Sequence, residues 1–285
     1  MLFCLILTYG ERIVLGGSVL RGTTLISTAA FALLASTATA CENLTMAPGG
    51  TVVEVTDGDT VVLNDGRKVR MIGTQAPKLP LGRDNYETWP LAPEAQQVLS
   101  DLVLHKTVRL GFGGERIDRH ERVLAHVFVE TDKGEVWTQL FMVGSGLARV
   151  YSFPDNRACL EPLFAAEAQA RADRLGIWAN PYYSVRAADR PAEVLTRAGH
   201  YELVEGRVLL ADRSGSRVFL NFGRFWKEDF TAVIEGPALR LFEAEGQDPM
   251  VLEGALVRIR GWVDDRDGPR IEITHPEQIE VLATR

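Results

Sequence analysis

Acidic and basic side chains occur together near residue 60, and their types suit recognition of a charged group. Asp57-Gly58-Asp59 sets two carboxylates around a glycine. Such a segment either satisfies backbone donors in a turn or offers its oxygens to a cation. Arg70 lies in the second strand of the predicted hairpin that follows, and Arg122 is the last residue of the segment 118–122. A guanidinium is a planar bidentate donor that suits phosphate; the alternative for each arginine is a solvated surface side chain.

Short strands are the elements that must position these residues. The turn Asn64-Asp65-Gly66 predicts a hairpin, and apolar periodicity with Pro93 in a first turn predicts a helix. Predicted strands are Val52–Val55, Thr60–Leu63, Lys68–Ile72, Val108–Phe112 and Val123–Val129, and predicted helices start near 93, 137 and 156. Five strands surrounded by helices predict a mainly β, α+β fold, namely a five-stranded Greek-key barrel of the oligonucleotide/oligosaccharide-binding (OB) kind.

A second group of strands follows residue 200. Three predicted strands, a short helix near Pro237–Glu245 and two further strands repeat the order of the same small barrel. Residues 181–199 contain Pro181 and Pro191 without clear periodicity and are interpreted as a linker or a covering strap. The predicted organisation is therefore a lead at 41–49, a barrel domain at 50–180, a linker at 181–199 and a second, OB-like barrel at 200–285.

Composition limits the class of protein. With 46% hydrophobic and 24% charged residues, the chain has the composition of a soluble globular protein. It has 31 Lys and Arg against 38 Asp and Glu, a formal charge of −7. A general nucleic-acid coat protein would be basic, because phosphate neutralisation provides most non-specific affinity. Any contact with nucleic acid must therefore use a local basic site.

The first forty residues have the pattern of an export signal. Arg12 and Arg21 precede an apolar run from Leu25 to Ala40, which ends in the small residues Ala38-Thr39-Ala40. This pattern predicts a signal peptide at 1–40 and export to the periplasm or cell envelope, with no transmembrane domain after its removal. The alternative is an uncleaved anchor or a disordered tail.

Cysteine usage leaves two readings of the mature N-terminus. Cys41 directly follows the small residues, which indicates a lipoprotein acylation site and a lipid anchor. Alternatively, Cys41 and Cys159 form a disulfide in an oxidising compartment. Neither cysteine has metal-ligand spacing, and the five histidines fit no zinc pattern.

Over about residues 50–180 the sequence resembles the staphylococcal nuclease (thermonuclease) family. The resemblance rests on Asp57-Gly58-Asp59-Thr60, Arg70 with its apolar followers, Ala76-Pro77, Asp118 to Arg122 followed by Leu124-Ala125, Gly146-Leu147-Ala148 and Gly176-Ile177-Trp178. It implies a calcium-dependent phosphodiesterase acting on single-stranded DNA or RNA. It further implies that Asp59 is a calcium ligand and that Arg70 and Arg122 are phosphate-binding catalytic residues.

The chain departs from the family pattern at two positions. The family's second calcium-ligand Asp is Gln75 here, and its general-base Glu is Lys78. Together with Asp59, these positions change from three negative charges to a net charge of zero. Calcium gains affinity from ligand charge, and an ammonium within about 4 Å adds repulsion of several kcal/mol at an effective dielectric constant near 20. Calcium is therefore a doubtful cofactor, and ordinary calcium-dependent hydrolysis should be weak or absent.

Two functions follow from these departures. Lys78 with Arg70 and Arg122 could form a metal-free, three-cation pocket for a phosphodiester. The first function is an exported phosphodiesterase with this altered site, which hydrolyses slowly if Asp84, Glu87 or Glu94 provides a base. The second is an impaired nuclease-fold module that binds nucleic acid or an envelope partner. The sequence predicts no oligomeric state.

Aromatic residues in the second predicted barrel have two interpretations. They are either a base-stacking platform or part of the barrel core, and the core is the preferred interpretation. The residues are Phe219, Phe222, Phe225, Trp226 and Phe230.

Overall fold

The computed structural model describes Cys41 and residues 43–284, so the predicted signal peptide lies outside the described residues. The first group of elements comprises β1 (Thr45–Asp57), β2 (Thr60–Leu63), β3 (Lys68–Met71), β4 (Gly73–Gln75), α1 (Ala92–Val103), β5 (Thr107–Phe112), β6 (Val123–Thr131), β7 (Gly134–Trp137), α2 (Thr138–Gly144), β8 (Arg149–Tyr151) and α3 (Leu160–Ala172). No helix among the described residues is both long and apolar enough to cross a bilayer.

Five of these strands close into a barrel. β1 pairs antiparallel with β2 and β5, β2 with β3, and β5 with β6. A parallel pairing of β3 with β6 joins the two ends of the sheet. The predicted fold class, α+β with a five-stranded OB-like barrel, is confirmed.

The β2–β3 hairpin forms where the turn residues predict it. Gly66 adopts a φ of 86°, which a residue without Cβ tolerates best. The Asp65 carboxylate accepts a hydrogen bond from the backbone N–H of Arg67. On either side of the turn, Leu63 and Val69 are fully buried in the barrel core. The turn residues and the burial of the flanking apolar residues therefore favour the same pairing of β2 with β3.

Two features of the first barrel differ from expectation. β1 begins at Thr45, inside the segment predicted as a lead, because Thr45 pairs with Phe112 of β5. β4 and β8 form a separate two-stranded sheet in which Gln75 pairs with Arg149. These strands are only three residues long, so their sequences carry almost no periodicity.

The second sheet begins after two short 3₁₀ turns. Its elements are β9 (Arg186–Ala187), α4 (Pro191–Leu195), β10 (Tyr201–Arg207), β11 (Leu210–Ser214), β12 (Arg217–Asn221), β13 (Thr231–Ile234), α5 (Gly236–Ala244), β14 (Leu256–Asp265), β15 (Pro269–Ile273) and β16 (Ile279–Ala283). The strand order is β11-β12-β13-β15-β14-β10-β9, with β13 and β15 parallel. The curled sheet is consistent with an OB-like arrangement.

The aromatic residues of the second sheet divide between two environments. Phe230 is fully buried, and Phe222 packs against the same core. Phe225 and Trp226 are 68% and 57% exposed, on the connection between β12 and β13. The core interpretation is therefore right for Phe230 and wrong for Phe225 and Trp226.

Buried polar contacts join α3 and β8 of the first barrel to strands of the second sheet. The carboxylate of Glu167 and the guanidinium of Arg260 lie 3.0 Å apart, and both side chains are 1% exposed. The hydroxyl of Tyr201 donates to the carbonyl of Val150. In the predicted linker, β9 pairs with β10, and Val194 of α4 is fully buried. The residues from Cys41 onward form one compact unit.

Candidate active site

The Asp57-Gly58-Asp59 segment forms a tight turn between β1 and β2. The backbone N–H of Asp59 donates to Oδ1 of Asp57 over 3.1 Å. A Cβ on Gly58 would lie 2.6 Å from the Cβ of Ala76 and 2.9 Å from that of Ala95. Only glycine fits between these alanines without a shift of the backbone. The turn therefore brings both carboxylates against the segment that follows β4.

Lys78 lies between the two carboxylates. Its Nζ donates to Oδ2 of Asp59 over 2.6 Å, to Oδ1 of Asp59 over 2.8 Å and to Oδ2 of Asp57 over 3.2 Å. Asp59 is fully buried, and the Lys78 side chain is 18% exposed. The backbone N–H of Ala76 and the hydroxyl of Thr60 also donate to Asp59. Both carboxylate oxygens of Asp59 are therefore engaged by protein donors.

Arg70 directs its guanidinium into the protein. Nη1 donates to the Met71 carbonyl over 2.7 Å, and Nη2 donates to the Thr74 carbonyl over 2.6 Å. Nη1 also lies 3.2 Å from Oδ1 of Asp59. With 9% of its side chain exposed, Arg70 uses its donors to hold the chain between β3 and β4. It also contributes a second positive charge next to Asp59.

The two carboxylates respond differently to this environment. Burial, followed by the negative charge of Asp59, raises the pKa of Asp57, which the charge of Lys78 opposes. Burial alone would also raise the pKa of Asp59. The charges of Arg70 and Lys78 and the surrounding hydrogen bonds outweigh burial and hold the pKa of Asp59 well below its usual range. Asp59 is therefore ionised and neutralised from two sides.

Arg122 precedes β6 and is paired with Asp118. Its Nε donates to Oδ2 of Asp118 over 2.8 Å, and the Arg122 side chain is 32% exposed. The same Asp118 accepts hydrogen bonds from the backbone N–H groups of His120 and Arg122, so it caps the turn and orients the arginine. Among the predicted phosphate-binding residues, Arg122 is the most exposed to solvent.

Gln75 is turned toward an arginine that the sequence did not single out. Nη2 of Arg149 donates to Oε1 of Gln75 over 3.3 Å, and both residues are buried. The Arg149 guanidinium also lies over the rings of Tyr183 and Tyr201. The sequence signal for Arg149 is only its position directly after Gly146-Leu147-Ala148. Its contact with Gln75 depends on the β4–β8 pairing.

The three acidic residues predicted as alternative bases lie outside this network. Asp84, Glu87 and Glu94 are all exposed. Within the described part of the chain, no hydrogen bond or ion pair joins them to Lys78 or Arg70. The network of Asp57, Asp59, Lys78 and Arg70 therefore contains two negative and two positive charges and no free carboxylate.

The sequence is similar to that of known nucleases. A family model described as staphylococcal nuclease homologue matches residues 68–180. The thermonuclease of Staphylococcus hyicus is 30% identical over 132 residues, which cover 45% of this chain and 75% of that protein.

The chain belongs to the staphylococcal nuclease family.

Two further relatives of this nuclease-family chain are similar over a smaller part of their length. The probable endonuclease LCL3 of Phaeosphaeria nodorum is 31% identical over 158 residues, 50% of this chain and 51% of the relative. Endonuclease YncB of Bacillus subtilis is 30% identical over 132 residues, 45% of this chain and 60% of the relative. The chain thus spans about half to three fifths of these two endonucleases. The second sheet lies outside the residues matched by the family model.

Proposed function

We propose that this staphylococcal-nuclease-family protein binds nucleic acid and does not hydrolyse it by a calcium-dependent route. The observation that carries the proposal is the contact of Lys78 with both oxygens of Asp59, at 2.6 and 2.8 Å. An ammonium on the carboxylate gives Asp59 the charge neutralisation that a cation would otherwise provide.

The donor set does not fit a calcium ion. Calcium takes six to eight oxygen ligands and gains affinity from carboxylate charge. Asp59 is the single carboxylate among the three expected ligand or base positions, and Lys78 donates to both of its oxygens. Gln75 offers one neutral oxygen, which accepts from Arg149. A calcium ion would have to displace Lys78 from Asp59, and the displaced ammonium would still repel the ion from nearby.

Arg122 is the residue best exposed to contact a phosphate. Its partly exposed guanidinium is held by Asp118 in one orientation, which lowers the entropy lost on binding. Lys78 and Arg70 would support it indirectly, because they neutralise Asp57 and Asp59. A phosphodiester would then approach a neutral surface instead of an anionic one. Arg70 is on this account a positioning residue, since its donors are used by backbone carbonyls.

Slow, metal-independent phosphodiester hydrolysis is the second candidate function. It is favoured by the relatives, whose names are thermonuclease and endonuclease. Loss of a general base typically costs roughly 10²–10⁴-fold in rate and leaves the contribution of the remaining groups. Arg122 would then stabilise the transition state without an assisting carboxylate, while Arg70 and Lys78 neutralise Asp59.

One set of assays separates these two functions. Purified protein is incubated with single- and double-stranded DNA and RNA in calcium, in magnesium and in chelator, and binding to labelled strands is followed by fluorescence anisotropy. The proposal predicts binding that weakens as salt rises, without calcium-stimulated cleavage. Cleavage in chelator that is lost in Arg122→Ala would support slow hydrolysis. Calcium-stimulated cleavage by the wild type, or absence of binding to every strand, would contradict the proposal.

We further propose that the protein is exported. The apolar run from Leu25 to Ala40 supports this, as does the disulfide between Cys41 and Cys159, a bond that persists in oxidising compartments. A cysteine in a disulfide has no free thiol for acylation, so the disulfide favours simple signal cleavage over a lipid anchor at Cys41. Mass spectrometry of the protein recovered from a periplasmic extract tests this. It should find residue 41 as the N-terminus without a lipid mass.

A further inference from the structure

Three side chains that are distant in the sequence meet outside the Asp57, Asp59 and Lys78 network. Cys41 precedes β1, His126 lies in β6, and Cys159 directly precedes α3. The sulfur atoms and a ring nitrogen all lie within 4.8 Å of one another. Cys41 and Cys159 are joined by a disulfide, and their Cα atoms are 5.1 Å apart.

His126 is a buried polar side chain without a hydrogen-bond partner. It is fully buried, and neither ring nitrogen makes a hydrogen bond of good geometry. An unsatisfied buried polar group typically costs about 1–3 kcal/mol. One of its ring nitrogens lies within 4.8 Å of both cysteine sulfurs.

We propose that Cys41, His126 and Cys159 form a zinc site when the disulfide is reduced, so that a disulfide and a zinc ion alternate at one position.

The donor set suits zinc in charge and type. Two thiolates and a neutral imidazole balance the double charge of the ion, so the filled site adds no net charge to a buried region. Zinc binds cysteine sulfur and histidine nitrogen in tetrahedral geometry, and three protein ligands leave a fourth position for water. Bonds of that type place ligand atoms roughly 3.5 Å apart. Reduction frees the two bonded sulfurs to separate to this spacing, and a small shift of the His126 ring brings its nitrogen to the same spacing.

The two states exclude each other chemically. A dithiol reductant transfers two electrons to the Cys41–Cys159 bond, which yields two cysteine thiols and the disulfide of the reductant. Zinc then displaces one proton from each thiol, and both protons pass to solvent. A disulfide oxidant then accepts two electrons from the thiolates and is itself reduced to two thiols, with protons taken from solvent; the Cys41–Cys159 bond re-forms and the ion is released.

Both the disulfide and the proposed zinc ion link the segment before β1 to the start of α3. The two cysteines are separated by 118 residues, so a cross-link between them restricts a long loop in the unfolded chain. A zinc ion would provide this restraint under reducing conditions, where the disulfide is absent. The sequence gives no signal for the site, because its three ligands have no local spacing.

The test uses the full chain with Cys4→Ser, so that two cysteines remain. The protein is reduced with a phosphine, since thiol reductants themselves bind zinc; the phosphine takes up oxygen from water as the disulfide becomes two thiols. Zinc binding is measured by calorimetry, and cobalt serves as a spectroscopic probe of thiolate ligation. His126→Leu removes the proposed ligand and fills its space. The matched control is His120→Leu, which replaces an exposed histidine of the same domain.

The proposal predicts one zinc per reduced chain, release of about two protons and a sulfur-to-cobalt charge-transfer band. It also predicts that zinc raises the melting temperature of the reduced protein and leaves that of the oxidised protein unchanged. His126→Leu should bind zinc about tenfold or more weakly, while His120→Leu matches the parent. If His126→Leu does not fold, His126→Gln replaces it. A folded, reduced parent that binds no zinc, or a His126 variant that binds as tightly as the parent, would overturn the proposal.

Discussion

The Nζ atom of Lys78 lies 2.6 Å from Oδ2 and 2.8 Å from Oδ1 of Asp59, so one ammonium spans a fully buried carboxylate. The chain belongs to the staphylococcal nuclease family, and an ion pair of Lys78 and Asp59 lies at the centre of its candidate site. Because Arg70 also lies 3.2 Å from Asp59, this carboxylate has two cationic partners. Charge neutralisation of Asp59 is therefore built into the fold.

Removing the ammonium should destabilise the protein most at neutral pH. In Lys78→Met, Arg70 and the hydrogen bonds from Ala76 and Thr60 remain, but one of the two cations beside Asp59 is lost, so we expect a loss of ~2–4 kcal/mol in the free energy of unfolding at pH 7. The depressed pKa of Asp59 gives the wild type stability that is full above the unfolded pKa and is lost as pH falls through the folded pKa. Without Lys78 the pKa of Asp59 is depressed less, so the variant loses less stability as pH falls.

The difference in unfolding free energy between wild type and Lys78→Met should therefore shrink as pH falls below about 4, because the contribution of wild-type Asp59 is lost between its unfolded pKa and its lower folded pKa. Urea unfolding at several pH values measures it. Lys68→Met, an exposed change on β3, serves as the control and should stay within about 0.5 kcal/mol of wild type. A pH-independent difference would show that the loss comes from packing alone.

Placing carboxylates at positions 75 and 78 should create a response to calcium. In the double variant Gln75→Asp and Lys78→Glu, three carboxylates replace a net neutral set, which favours calcium binding. We expect calcium to raise both its melting temperature and its cleavage of single-stranded DNA. The control Lys68→Glu makes the same charge change as Lys78→Glu at an exposed position of β3. No calcium response in a folded double variant would count against the inferred geometry.

Loss of Arg122 should weaken nucleic-acid binding without regard to base sequence. Arg122→Ala removes one partly exposed phosphate donor, so the slope of log affinity against log salt should fall by about one unit or slightly less. Arg109→Ala is a matched control, since Arg109 is an exposed arginine paired with Glu135. Anisotropy titrations at several salt concentrations provide the comparison. Equal losses in the two variants would argue against a specific role for Arg122.

A buried histidine at the contact between the first barrel and the second sheet should make stability sensitive to acid. Nε2 of His275 lies 2.6 Å from the Ser152 hydroxyl; burial and then the charge of Arg157 lower its pKa to about 4, against a smaller raising effect of Asp155. Because the folded pKa lies below the unfolded value, stability present above about pH 6.5 is lost as pH falls toward 4.

This loss should be on the order of 2–3 kcal/mol for the wild type. His275→Gln keeps a polar partner for Ser152 and does not titrate, so its unfolding free energy should change less between pH 7 and about 4.5. Chemical denaturation at each pH measures the difference. Parallel pH profiles for the two proteins would refute the assignment of this acid sensitivity to His275.

Sequence and structure agree most closely where local chemistry determines the backbone. The β2–β3 hairpin follows from Asn64-Asp65-Gly66 and its flanking apolar residues. The two-residue turn before β2 likewise depends on Gly58, which has no space for a side chain. These inferences need only residues close together in the chain.

The remaining features depend on contacts between distant residues. The inward direction of Arg70 depends on the Thr74 carbonyl in the middle of a three-residue strand, which no periodicity predicts. Arg260 and Glu167 pair across 93 residues, and Gln75 meets Arg149 across 74. Such pairs form because a buried charge requires a partner, but many partners satisfy that requirement. Sequence alone therefore could not choose among them.

Calcium titration of the wild-type protein by isothermal calorimetry tests the central claim most directly. With Lys78 engaged on both oxygens of Asp59, the account predicts no saturable calcium binding and no calcium-dependent change in melting temperature. Asp59→Asn is measured in parallel as the variant without the central carboxylate. Stoichiometric calcium binding by the wild type that disappears in Asp59→Asn would contradict the account.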